Sequence, residues 1–185
     1  MKNKLVHRFL ETAAANRPDA VLVTERSGNK TYSQVETGAN RIAWILQDQN
    51  LRTGDRVALL ASNSSWYIEA YYGILKAGGI VVALDAAGDA ESQAARLMDC
   101  GPAGIVCSGP QVRRGLQLAA RLQPGFLVSL DVTVPGERSG LTESTCLVNG
   151  PEALEAAGTG SPDLPLGPDD RAALVYTSGR TGKPR

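Results

Sequence analysis

Four short apolar runs, at residues 56–61, 80–84, 104–108 and 126–130, constrain this chain more than any other feature. None alternates apolar with polar residues, as a strand with one wet face would, so each reads as a strand covered on both sides. Between them lie longer stretches at helical spacing. Asn63 or Ser64 can cap a helix that turns Ile68, Tyr72 and Leu75 inward and stops at Gly78-Gly79. Asp89 can cap the next, with Ala94, Leu97 and Met98 inside and Gly101 at its end, and a third helix is expected over about 110–122. Strands alternating with helices pair in parallel, because a parallel pair needs a crossover and a helix provides one. The expected fold is α/β: an open, mostly parallel sheet flanked by helices.

The residues before Gly54 prepare that sheet. Residues 4–15 read as an amphipathic helix with Leu5, Phe9 and Ala13 on one face, halted by Asn16-Arg17-Pro18. Residues 20–24 and 30–32 flank Arg26-Ser27-Gly28-Asn29, a hairpin signal. Ser33-Gln34-Val35-Glu36 has the form of a capping box, which is a stronger reading of Glu36 than an acid catalyst, and Val35, Ala39, Ile42 and Leu46 recur behind it at helical spacing. Trp44, Trp66, Tyr67, Tyr71 and Tyr72 could stack a base, but aromatics within two helices are expected first as packing against the sheet. Residues 131–170 are rich in Gly and Pro and hold no aromatic, so they are expected to be mainly loop, with a turn of helix at 151–157. Asp163, Asp169 and Asp170 within them lack EF-hand spacing and read as solvated charges.

The chain closes on a short apolar strand at 172–176 and then Thr177-Ser178-Gly179-Arg180-Thr181-Gly182-Lys183-Pro184-Arg185. This composition suits an anion. Gly179 and Gly182 let backbone N–H groups turn toward a bound group, Thr177, Ser178 and Thr181 add hydroxyl donors, and Lys183 adds a mobile positive charge. The Walker A loop does not fit, because the position five before the Gly-Lys pair is Thr177 and the residue after Lys183 is Pro184. A plain turn of small residues with a solvated Lys183 is the alternative for such a composition.

Other function classes are excluded or disfavoured. Nineteen basic residues balance nineteen acidic ones, which removes the electrostatic case for nucleic acid or an anionic membrane. The three cysteines, Cys100, Cys107 and Cys146, lack metal-site spacing, and His7 is the sole histidine, so a zinc site is not expected and reduced thiols are. Arg8 and Glu11 interrupt any signal-peptide core, and no apolar run approaches membrane-spanning length. No Gly-x-Gly-x-x-Gly follows a strand, against a dinucleotide enzyme. A cytoplasmic location is expected.

The order of the terminal residues, Tyr176-Thr177-Ser178-Gly179-x-Thr181-Gly182-Lys183-Pro184-Arg185, closely resembles the phosphate-binding signature of the AMP-forming adenylating enzymes, which include acyl-CoA synthetases, peptide-synthetase adenylation domains and luciferases. One position departs: Arg180 stands where the family has a small hydroxyl residue. It could add a guanidinium to the phosphates or crowd the loop. The resemblance extends upstream. Gly54-Asp55-Arg56-Val57-Ala58 is similar to a family strand, and residues 73–86 are similar to its Leu-Lys-Ala-Gly block, with Ala83 and Ala86 in place of two prolines. Arg96-Leu97-Met98-Asp99-Cys100-Gly101 is similar to the helix that follows.

By that resemblance the chain is the N-terminal part of the acyl-adenylate-forming ligase fold. It implies an α/β subdomain over 1–130, a Gly/Pro-rich linker over 131–170, and the strand and loop over 171–185. It implies that Thr177, Ser178, Gly179, Thr181, Gly182 and Lys183 contact ATP phosphates, with Arg180 at a contact position. It further implies magnesium as the ATP partner, a small carboxylic acid as substrate and a thiol such as coenzyme A as acceptor. The family's acyl pocket, adenine contacts, magnesium-site glutamate and C-terminal lysine lie downstream of this loop. The expectation is therefore a portion inactive alone, completed by a second chain or a longer one, or else a non-catalytic remnant that keeps the fold.

Overall fold

The computed structural model describes residues 5–135 and 141–177. In chain order they form α1 (His7–Asn16), β1 (Val21–Glu25), β2 (Gly28–Thr31), α2 (Tyr32–Asp48), β3 (Arg56–Leu60), α3 (Ser65–Lys76) and β4 (Ile80–Ala83). There follow α4 (Ala90–Cys100), β5 (Gly104–Cys107), α5 (Val112–Leu122), β6 (Phe126–Ser129), β7 (Cys146–Asn149), α6 (Gly150–Ala156) and β8 (Ala173–Leu174). β1 and β2 make an antiparallel hairpin. The other six strands make one sheet in the order β7-β6-β5-β3-β4-β8, and every pairing in it is parallel. The runs at 56–61, 80–84 and 104–108 thus share one sheet.

Both faces of the sheet are buried, which is why its strands lack a polar alternation. Val57 and Leu59 of β3 point to one core with Ile42 and Leu46 of α2 and Ile74 of α3. Ala58 and Leu60 point to the other, with Leu97 of α4 and Leu118 of α5. Each large side chain fully buried this way stabilises by roughly 1.5–3 kcal/mol. A smaller cluster of Leu10, Val35 and Ala39, with Tyr32, Ile68 and Tyr72 against it, seats α1 and the hairpin. The Asp89 cap holds as expected, its carboxylate accepting from Ser92 N at 2.8 Å, and Gly101 ends α4 at φ +55°.

Four local expectations are corrected. The capping box of α2 is Thr31 with Gln34, each bonded to the other's backbone N–H, rather than Ser33 with Glu36. The helix starts at Tyr32, one residue before the expected cap, and Glu36 goes instead to Lys76. Neither Asn63 nor the Ser64 side chain caps α3; the Glu25 carboxylate, from the hairpin, accepts from Ser65 Oγ at 2.8 Å and Ser65 N at 3.4 Å. Met98 is 64% exposed, not inside. The stretch expected as mainly loop holds, besides the expected turn of helix (α6), the strand β7, which extends the sheet by pairing all four of its residues with β6. Its Gly-rich surroundings masked a strand whose burial depends on that neighbour.

Candidate functional site

The terminal loop is delivered by β8. Because β8 runs parallel to β4, pairing Val81 with Ala173 and Val82 with Leu174, the chain leaves it at the carboxyl end of the sheet. That is the end at which open α/β sheets hold their ligands. Thr177, the first of the expected phosphate contacts, is exposed there. Ser178, Gly179, Arg180, Thr181, Gly182 and Lys183 lie outside the described residues.

Tyr176, just before Thr177, is tied down. Its ring packs with Cys100 against the core under α4, and its hydroxyl donates to Asp99 Oδ2 at 2.6 Å, with the Arg96 carbonyl oxygen 3.1 Å away. Burial and the adjoining Asp99 carboxylate hold its phenol well above the ordinary value of 10. Burial likewise raises the Cys100 thiol. These two residues stay protonated near neutrality. The sequence singled out Tyr176 only as the head of a motif; the tie to Asp99, 77 residues away, carries no local signal.

The turn after β4 lies at the same end of the sheet. Ala83 and Ala86 flank Leu84-Asp85, and Asp85 anchors the turn. Asp85 Oδ1 accepts from Ala87 N at 2.9 Å, Asp85 O accepts from Gly88 N at 3.0 Å, and Gln93 Nε2 donates to Asp85 O at 2.7 Å. Side-chain bonds do here what a fixed proline φ does elsewhere.

Upstream of β8, the chain crosses the α2–α3 face under several ties. Asn40 Nδ2 donates to Thr159 O at 2.8 Å and Trp44 Nε1 donates to Gly160 O at 2.8 Å. Lys76 Nζ reaches Ser161 Oγ at 3.3 Å. Trp44 therefore serves this crossing rather than packing on the sheet, whereas Trp66, Tyr67 and Tyr71 pack against the core as expected. Tyr72 packs with the smaller cluster.

A concavity of ≈ 570 Å³ opens between α2, α3 and α6 and includes Lys30, Arg41, Trp66 and Glu69. Lys30 occupies it from within, 2.6 Å from Glu69 and 4.8 Å above the Trp66 ring. Burial raises the Glu69 carboxyl despite this partner. Cys100, Cys107 and Cys146 are free thiols, and no group of three or more His, Cys, Asp or Glu among the described residues is placed to hold a metal ion. No helix among them is long and apolar enough to cross a membrane.

Against known proteins, the sequence pattern of the family described as AMP-binding enzyme matches residues 10–185. The nonribosomal peptide synthetase GRA1 of Gibberella zeae is 33% identical over 184 residues, covering 97% of this chain, and the chain spans 2% of that relative's length. The inhibitor-bound crystal structure of the N-terminal domain of FACL13 from Mycobacterium tuberculosis superposes with a TM-score of 0.76 at 28% identity, over 100% of this chain and 43% of that one. An anthranilate CoA ligase, AuaEII, solved with anthranoyl-AMP, shares the fold at a TM-score of 0.83 and 20% identity, over 96% of this chain and 33% of that one.

Proposed function

The chain belongs to the AMP-binding enzyme family, and from that premise we propose that it supplies the phosphate-binding part of an AMP-forming acid–thiol ligase. In that reaction a carboxylate oxygen attacks the α-phosphorus of ATP, the bond to the β-phosphate oxygen breaks, and acyl-adenylate and pyrophosphate form. A thiol, coenzyme A or a carrier, then takes the acyl group and releases AMP. The observation that carries the reading is the delivery of Tyr176-Thr177 from a parallel strand to the carboxyl end of the sheet, at the head of the Ser178–Lys183 run.

Each residue has a stated part. Backbone N–H groups around Gly179 and Gly182 and the hydroxyls of Thr177, Ser178 and Thr181 donate to phosphate oxygens. Lys183 offsets their charge, and Arg180 adds a guanidinium beside it. Such a loop acts by positioning and charge neutralisation, supplying no covalent chemistry of its own. Magnesium, the small carboxylic acid and a cytoplasmic setting belong to the same proposal.

The test is ATP binding by the full chain and by Lys183→Ala. Losing one charge-assisted contact to phosphate weakens binding by roughly 10- to 100-fold. Equal affinity in the two proteins overturns the reading. Carboxylate-dependent exchange of pyrophosphate into ATP, assayed on the same samples, is expected to be absent from the chain alone.

A further inference from the structure

The strand that delivers the loop is held lightly by its own ladder. β8 is two residues long, lies at the edge of the sheet, and both residues are exposed. Beyond its pairing with Val81 and Val82, one more backbone bond joins it to β4, from Val81 N to Ala172 O at 2.9 Å. An edge pairing this short frays unless side chains reinforce it.

Tyr176 is placed to do so. The pairing of Leu174 with Val82, a member of the α4-side core, puts Leu174 on that side of the sheet, and strand alternation carries Tyr176 to the same side. The hydroxyl meets Asp99 at 2.6 Å and the Arg96 carbonyl at 3.1 Å, acceptors three residues apart on one face of α4. Asp99 has no local reason to be there. It sits in the last turn of α4, where the helix dipole disfavours a carboxylate. Its hydrogen bond to Tyr176 is a tertiary one, spanning 77 residues.

We propose that Tyr176 and Asp99 form a latch that positions the phosphate loop: by pinning the residue before Thr177 to α4, they fix the direction in which the loop leaves the sheet. Both are positioning residues, and the proposal rests on reading the run from Thr177 as a phosphate site. The latch also makes the loop answerable to α4, the helix whose Gln93 holds the neighbouring turn after β4.

The experiment uses the full chain as wild type, Tyr176→Phe, Asp99→Ala and Asp99→Asn. Hydrogen exchange is followed at the amides of 174–177 and, as a check of folding, at β3. Tyr176→Phe keeps the ring and loses the donor; Asp99→Ala loses the nearer acceptor and leaves the Arg96 carbonyl at 3.1 Å. Each is expected to speed exchange at 174–177 by about ten-fold, with β3 unchanged. Asp99→Asn keeps an acceptor oxygen and stays within about three-fold of wild type. ATP affinity is expected to fall by about ten-fold in Tyr176→Phe.

Unchanged exchange in Tyr176→Phe overturns the latch whatever ATP does. Equal exchange in Asp99→Asn and Asp99→Ala overturns it too, because bulk or charge would then be the cause. Raised exchange with unaltered ATP affinity in Tyr176→Phe means that the latch does not serve the nucleotide. If exchange behaves as expected but Lys183→Ala leaves ATP binding intact, the phosphate-loop reading fails while the tie to α4 stands.

Discussion

Lys76 is the residue with most at stake in the fold. Its side chain is wholly buried at the end of α3, 2.6 Å from Glu11 of α1 and 2.8 Å from Glu36 of α2. Burial alone would raise the Glu11 carboxyl, but the bond and charge of Lys76 outweigh it, so the group lies below its ordinary value of 4.5. A lowered carboxyl contributes stability that is present above pH 4.5 and is lost as pH falls through its folded value. Lys76→Met removes the cation and leaves the Glu11 and Glu36 carboxylates without it, with Ser161 Oγ still 3.2 Å from Glu11. It should cost about 3 kcal/mol at pH 7, the lower end for a broken buried pair because Glu11 is partly exposed. In the variant burial now raises the Glu11 carboxyl, so the sign reverses and the cost should shrink as the pH falls toward 4. Urea unfolding at the two pH values reads both; a cost that is constant or grows toward pH 4 refutes the assignment.

At the scale of elements, the ends of helices α2 and α3 are decided by bonds from outside the expected caps. Thr31 and Gln34 close the box on α2, while the Ser33 side chain makes no capping bond at that terminus. Thr31→Ala should therefore lower stability by ~1 kcal/mol, and Ser33→Ala should change it by less than about 0.5 kcal/mol. The reverse order in thermal melts would restore the cap read from sequence. The error has a simple source. Two overlapping Ser/Thr-x-x-Gln/Glu patterns, Thr31–Gln34 and Ser33–Glu36, satisfy the same rule, and what separates them is where β2 ends and whether Glu36 has a better partner elsewhere.

For the whole molecule, the edge formed by β8 is the exposed weakness. Leu174 is 36% and Val175 73% exposed, and no strand among the described residues pairs with the outer side of β8. Apolar edges of that kind invite pairing with another copy. Sedimentation velocity should detect concentration-dependent association, and Val175→Lys should reduce it by placing a charge on the edge. Monomers at high concentration in both proteins would remove this expectation.

Much of the α/β layer was legible from residues alone, because each strand's apolar run and each helix's spacing are local patterns set by backbone period. The α/β class, the parallel pairing of the three runs at 56–61, 80–84 and 104–108, the Asp89 cap and the strand leading to Thr177 follow from them. The order of the terminal motif, likewise, is a property of the chain. What local pattern cannot encode is which distant group a side chain meets. The recruitment of β7 to the sheet, the choice of Glu36 for Lys76 over a cap and of Tyr176 for Asp99 were decided only when folding brought residues 20, 40 and 77 positions apart into contact. A buried polar group must find a partner wherever the packed chain offers one, and sequence spacing does not name it.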